Sequence, residues 1–243
     1  MRTVRDLLKR SGGRMVMGGG ATLALALIAA LVAFGVYAYG GNGGAADNAA
    51  ASATASPALA PAKGQTVFTI DPSASSASFE IHEVLFGNPN TVLGKTNQVA
   101  GQILINTSDP SKSQLGPIRV DVSTLTTDSD MRNRTLQNRI LETGDPANRY
   151  ATFTATSFQG LPSTFPGGQL VRFKVTGNLI VHQVTKVETF DVLFTFNSDK
   201  QVTGTANTTV RYEDFNLAIP DVPSVTDVSD TVVLALNFTA RAA

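Results

Sequence analysis

The sequence predicts an all-β domain, a sandwich or a closed barrel, carried behind a membrane-spanning segment and a flexible linker. Three observations lead there. Apolar and polar side chains alternate over much of residues 65–243, residues 15–39 carry no charge, and residues 40–64 are dominated by Gly, Ala, Ser, Asn and Pro. Period-two alternation marks half-buried strands, and ~20 apolar residues as helix cross a bilayer core.

Residues 1–14 form a basic cytoplasmic segment, in which Arg2, Arg5, Lys9, Arg10 and Arg14 are opposed only by Asp6, while no Lys or Arg lies between Gly40 and Ala62. That bias keeps the amino end cytoplasmic and exports the remainder of the chain. Residues 15–39 therefore read as a single-pass signal anchor in the cytoplasmic membrane, with the folded domain on the extracytoplasmic side. The shorter apolar core at 23–36 also fits a removed signal, which would make the domain secreted. Residues 40–64 hold no aromatic residue and cannot bury enough apolar surface to offset their conformational entropy. They form a disordered tether whose far end is stiffened by Pro57 and Pro61.

In the domain proper, one face of the run 169–182 carries Val171, Phe173, Val175, Leu179 and Val181. The run is too long for an ordinary strand, and Gly177 marks a bend. The same alternation recurs at Phe190, Val192, Phe194 and Phe196, at Ile118, Val120 and Val122, and at Val232, Leu234, Leu236 and Phe238. Shorter versions occur at Phe79 and Ile81, at Val99, Gly101, Ile103 and Ile105, and at Ala151, Phe153 and Ala155. With pieces at 67–70 and 202–212, about eight or nine strands result. One segment departs: residues 128–142 place Met131, Leu136 and Ile140 at helical spacing, with Asp128 or Ser129 as amino cap and Gly144 and Pro146 beyond the end. A short helix across one end of the sheet is expected.

Composition excludes several functions. Without cysteine there is no disulfide, thiolate site or cysteine nucleophile. The formal charge is zero, which gives no reason to expect nucleic acid. No Gly-x-Ser-x-Gly elbow or phosphate loop occurs. His82 and His182 are the two histidines, a poor basis for a metal site; they fit structural or rim hydrogen-bonding groups better than catalysis. Arg132, Arg134 and Arg139 sit among Asp128, Asp130 and Glu142, as a solvated face or, at a barrel end, as an anionic head-group contact.

The order and wording of several segments resemble the YceI-like domain, over nearly all of residues 68–238. FTIDPSASSASFEIHEVLFG from Phe68 to Gly87 is similar to its first hairpin, and VAGQILIN from Val99 to Asn106 to the glycine-containing strand after it. LTTDSDMRNRTLQNRILETGDPANRYATF, Leu125 to Phe153, resembles its central Thr, Arg, Leu and Tyr-Pro succession, with Ala151 in place of proline. GNLIVHQVTKV from Gly177 to Val187 has Gln183 at a glycine position, and RYEDFNL from Arg211 to Leu217 has Asn216 at another.

The resemblance implies an extended antiparallel eight-stranded lipocalin-like barrel with a short helix. It also implies a binding function, without catalysis, for a polyisoprenoid, quinone-like or fatty-acyl lipid in the lumen. A barrel of about eight strands is just wide enough for side chains or one ligand. Phe79, Ile81, Phe153, Phe173, Val175, Phe190, Val192, Phe194, Leu234 and Leu236 are the expected ligand walls, and His82, His182 and Arg132 the candidate head-group contacts. No metal and no cofactor beyond the lipid is implied. The partners are a lipophilic small molecule and the cytoplasmic membrane through the N-terminal helix, and a homodimer is open. The implied bacterial origin makes the Asn-x-Ser/Thr tripeptides at Asn106, Asn133, Asn207 and Asn237 incidental. Two other readings stand beside this one: a ligand-free extracytoplasmic interaction domain with a fully packed core, and an enzyme in which His182 acts on a lipid.

Overall fold

A computed structural model describes residues 59–242. The expected basic segment 1–14, the expected signal anchor 15–39 and most of the expected linker 40–64 lie outside the described residues. Among the described residues no helix is long and apolar enough to cross a membrane.

Thirteen strands are described: β1 (Gln65–Ile70), β2 (Ser76–Leu85), β3 (Asn88–Thr96), β4 (Val99–Ala100), β5 (Gln102–Asn106), β6 (Gln114–Leu115), β7 (Ile118–Asp121), β8 (Tyr150–Gln159), β9 (Leu170–Val181), β10 (Val184–Ser198), β11 (Gln201–Arg211), β12 (Val225–Thr226) and β13 (Thr231–Ala242). They form one antiparallel sheet that runs β4-β7-β8-β9-β10-β11-β13-β1-β5-β6, with β2, β3 and β12 branching from β13. β13 pairs with β2 over Val233–Asn237 and with β1 over Ala240–Ala242. The sheet curls round a single interior, and its inward faces supply the main apolar cluster.

The eight strands expected become thirteen, because β3 and the two-residue β6 and β12 carry too little apolar alternation to be read, and the strand expected over residues 99–105 is two pieces, β4 and β5. β1 and β2 are separated by a turn at Pro72–Ala74, whose cap Asp71 accepts from the Ser73 amide at 3.0 Å. β4 and β5 meet at Gly101, where an added Cβ would lie 2.3 Å from Ile118 Cδ1. A larger residue there would push the Ile118 side chain aside.

The bend expected at Gly177 falls in its partner strand. β9 runs unbroken past Gly177, while β8 carries a bulge between Ala155 and Ser157. An added Cβ at Gly177 would be 2.3 Å from the Thr154 carbonyl oxygen, so the glycine admits the close approach that the bulge creates.

The helix is shorter than its spacing suggests. α1 spans Asp130–Thr135, capped by Ser129, and passes into a π-helical turn at Leu136–Ile140. Glu142, at φ 48°, ends it two residues before Gly144. Leu136 and Leu141 pack with Val122 and Leu125 in a second cluster against Phe79, whereas Met131 stays exposed.

An ion pair ties the start of the domain to its last strand. Arg241 Nε donates to Asp71 Oδ2 at 2.8 Å, and this bond, together with the Ser73 contacts, holds the Asp71 carboxyl below its ordinary value. A carboxyl lowered in the folded state stabilises at pH above the unfolded value, and that contribution is lost as pH falls through the lowered one. The urea-stability gap between wild type and Asp71→Asn is therefore expected to be widest at neutral pH and to close as the pH falls below the ordinary aspartate range. A gap independent of pH would show that the ion pair contributes nothing to stability.

Candidate functional site: an apolar lumen with one charged mouth

The inward faces enclose a cavity of about 720 Å³. Phe79 and Ile81 line it from β2, Phe153 from β8, and Phe173 and Val175 from β9. Phe190, Val192 and Phe194 line it from β10, and Leu234 and Leu236 from β13. All ten side chains named from strand alternation thus border the same space. Phe79, Phe173, Phe190, Leu234 and Leu236 are only half-buried, as side chains facing open room must be. By contrast Phe68, Val202 and Ala240 are fully buried and do not border the cavity; Phe68 meets Phe196 edge-on at 6.2 Å.

Edge-to-face rings stiffen the wall. Phe153 and Phe190 stand 4.9 Å apart at 68°, and Phe173 and Phe194 6.2 Å apart at 63°, arrangements that favour the ring quadrupoles. Phe79 lies directly over Gly94 of β3, where a Cβ would come within 2.0 Å of its ring. The glycine is thus the seat of an aromatic wall residue.

Several lining residues escape strand periodicity. Phe158 points inward because the β8 bulge reverses the parity set by Phe153 and Ala155. Leu161 and Phe165 come from the β8–β9 loop, and Tyr212, Phe215 and Leu217 from the short helical turn after β11 and its exit. At one mouth Phe86 and Met131 line the cavity while remaining 78% and 77% exposed. Phe86 is held out by the β2–β3 turn, where it and Gly87 take φ of 49° and 77°, as a two-residue hairpin of type I′ requires.

The three candidate head-group residues separate. Arg132 borders the cavity, donating from Nη2 to Glu83 Oε1 at 3.2 Å and from Nη1 to Asp128. Glu83 shares the inward face of β2 with Phe79 and Ile81; its side chain is 9% exposed and also accepts from Asn90 Nδ2 at 2.9 Å. His82 does not line the cavity: strand parity turns it outward, where its Nδ1 sits 3.0 Å from Thr91 Oγ1. His182 does not line it either. It occupies the β9–β10 turn at φ 49° with Gln183 at 62°, and its Nε2 lies 3.2 Å from Glu142 Oε2. That contact holds the end of the helical segment against the β9–β10 turn. Tyr212 faces the lumen, and burial, then the Glu213 and Asp230 charges, push its phenol pKa up. Among the described residues no three His, Asp or Glu side chains are gathered as a metal site.

Known proteins share this architecture. The model of the YceI-like domain matches residues 68–240. A polyisoprenoid-binding domain from Saccharophagus degradans, implicated in plant cell wall breakdown, superposes with a TM-score of 0.57 at 17% identity, over 73% of this chain and 99% of that one. Burkholderia cenocepacia BcnA superposes with a TM-score of 0.54 at 17% identity, over 70% and 98%. No curated protein matches in sequence. At such identity the likeness establishes the fold, a curled antiparallel half-barrel of lipocalin-like type with one short helix. The family match spans well over half of the chain, which accordingly belongs to the YceI-like domain family.

Proposed function

We propose that this protein binds, stores or carries an isoprenoid or other long amphiphile in its lumen, without catalysis, at the outer face of the cytoplasmic membrane. The observation that carries this reading is the cavity of about 720 Å³ walled by Phe, Leu, Val and Ile with charge only at one mouth. That volume falls within the ~300–1,000 Å³ of ligand sites. Burial contributes ~0.8 kcal/mol per CH₂, so ten methylenes supply about 8 kcal/mol, the scale of a micromolar Kd before association costs. The polyisoprenoid-binding description of the Saccharophagus degradans domain supports the same ligand class. The expected walls from Phe79 to Leu236 are the contacts for the tail, and Arg132 with Glu83 those for the head.

The membrane setting rests on the uncharged run at 15–39 and its basic flank. The exposed Phe86 and Met131 at the mouth suit passage of a lipid between a bilayer and the lumen. Lipids extracted from purified full-length protein and identified by mass spectrometry test the reading. A stoichiometric long-chain compound is expected; protein that is lipid-free as isolated and takes up no added long-chain lipid would refute it.

A further inference from the structure

The charge at the mouth specifies the chemistry of the head group. Among the described residues the cavity is bordered by three charged side chains, Glu83, Asp128 and Arg132, a balance of one negative charge. Both terminal nitrogens of Arg132 are already committed, Nη2 to Glu83 and Nη1 to Asp128. The remaining polar lining nearby, Ser129, Thr135 and Ser224, is uncharged, and so are Ser113 and Gln114 elsewhere on the wall. Among the described residues, no part of the lining therefore offers a cation to spare.

We propose that the lumen accepts amphiphiles with an uncharged polar head, such as an alcohol or a carbonyl-bearing ring, and discriminates against phosphorylated ones. The proposal rests on the reading of the lumen as a lipid site. A diphosphate would bring further negative charge to a mouth where two carboxylates already outweigh Arg132. Any approach to Arg132 sets it beside Glu83 and Asp128, and the more it draws the guanidinium, the less charge is left to balance the nearly buried Glu83. A hydroxyl or carbonyl makes no such demand: a hydroxyl donates to an oxygen of Glu83 or Asp128, and either group accepts from Ser129, Thr135 or the Tyr212 phenol, without disturbing the pair.

Geranylgeraniol and geranylgeranyl diphosphate share one tail and differ only in the head. With the full-length protein at low salt, the alcohol is expected to bind at least tenfold more tightly. Differences in partitioning also enter that ratio, so the decisive readout is its change. Asp128→Asn, at an exposed side chain, should narrow the ratio at least threefold, and raised salt should narrow it in wild type by screening. Equal or tighter diphosphate binding, or a ratio that Asp128→Asn leaves unmoved, overturns the selectivity while the lumen reading stands. If neither compound binds, the lumen reading falls and the selectivity with it.

Discussion

Replacing Ala206 by tryptophan is expected to lower lipid retention at least tenfold while leaving the domain folded. Ala206 lies on β11 between Val192 of β10 and Leu236 of β13, and all three border the cavity. Its small side chain leaves the middle of the lumen open. An indole there occupies room that the tail needs, and each tenfold loss of affinity corresponds to ~1.4 kcal/mol, less than two methylenes of lost burial. Stability separates the two readings of the interior. In a solid core the added volume would cost ~1–3 kcal/mol through overpacking, whereas in an open lumen it is accommodated. Thermal denaturation and displacement of a fluorescent long-chain alcohol, measured on the same preparation, decide between them. A destabilised variant that still binds like wild type would place the ligand outside the lumen.

The largest effect on stability is expected at Asp121 and Arg149. Asp121 ends β7 with a side chain 4% exposed, and Arg149, just before β8, donates to its Oδ2 from Nε at 2.9 Å and Nη2 at 2.7 Å. Oδ1 accepts from the Ser123 amide and hydroxyl, which closes the turn after the strand. The backbone ties the same two segments together, since the Val122 amide donates to the Arg149 carbonyl at 3.0 Å. Arg149→Met keeps a long apolar stem beside Tyr150 but strips the buried carboxylate of its cation. Loss of stability is expected because a carboxylate only 4% exposed is left without its cation, and the partial solvation of Arg149 keeps the loss below that of a fully buried pair. Asp121→Asn added to Arg149→Met should recover part of the loss, since no charge then remains unpaired. Urea denaturation of the two single variants and the double closes the cycle. A denaturation midpoint unchanged in Arg149→Met would show the pair to be no stronger than an exposed one. The consequence reaches the lumen, because this pair anchors both ends of the 122–149 segment that carries α1 and Arg132 over the mouth.

Much of the site was legible in the chain because a strand has period two. Once Phe173 and Val175 share one face of their strand, and Phe190, Val192 and Phe194 one face of theirs, a curled sheet turns both faces together, and the cavity wall results. Parity also contained Glu83, on the face of Phe79 and Ile81, although a charge there does not read as part of an apolar wall. The β8 bulge was not legible: one inserted residue reverses every later position, and so brings in Phe158. β3 was missed because Val92 is the one large apolar side chain on its inward face, the other inward positions, Gly94 and Thr96, being small or polar; glycine is there to seat a ring supplied by another strand. His82 and His182 were misplaced for related reasons. One follows strand parity outward, and the other sits in a turn whose positive φ values take it off either face.

The sequence by itself determined the class of fold and which side chains of each strand share the inner face. These are consequences of local spacing and composition, which act between residues near in the chain. Only the tertiary structure decided that the inner face encloses about 720 Å³, and that Arg132 meets Glu83 across 49 positions. An open volume depends on how far the sheet curls before its flanks meet, and a charge pair on which strand lies beneath which helix. Both are set by contacts between distant segments, and no local period records them.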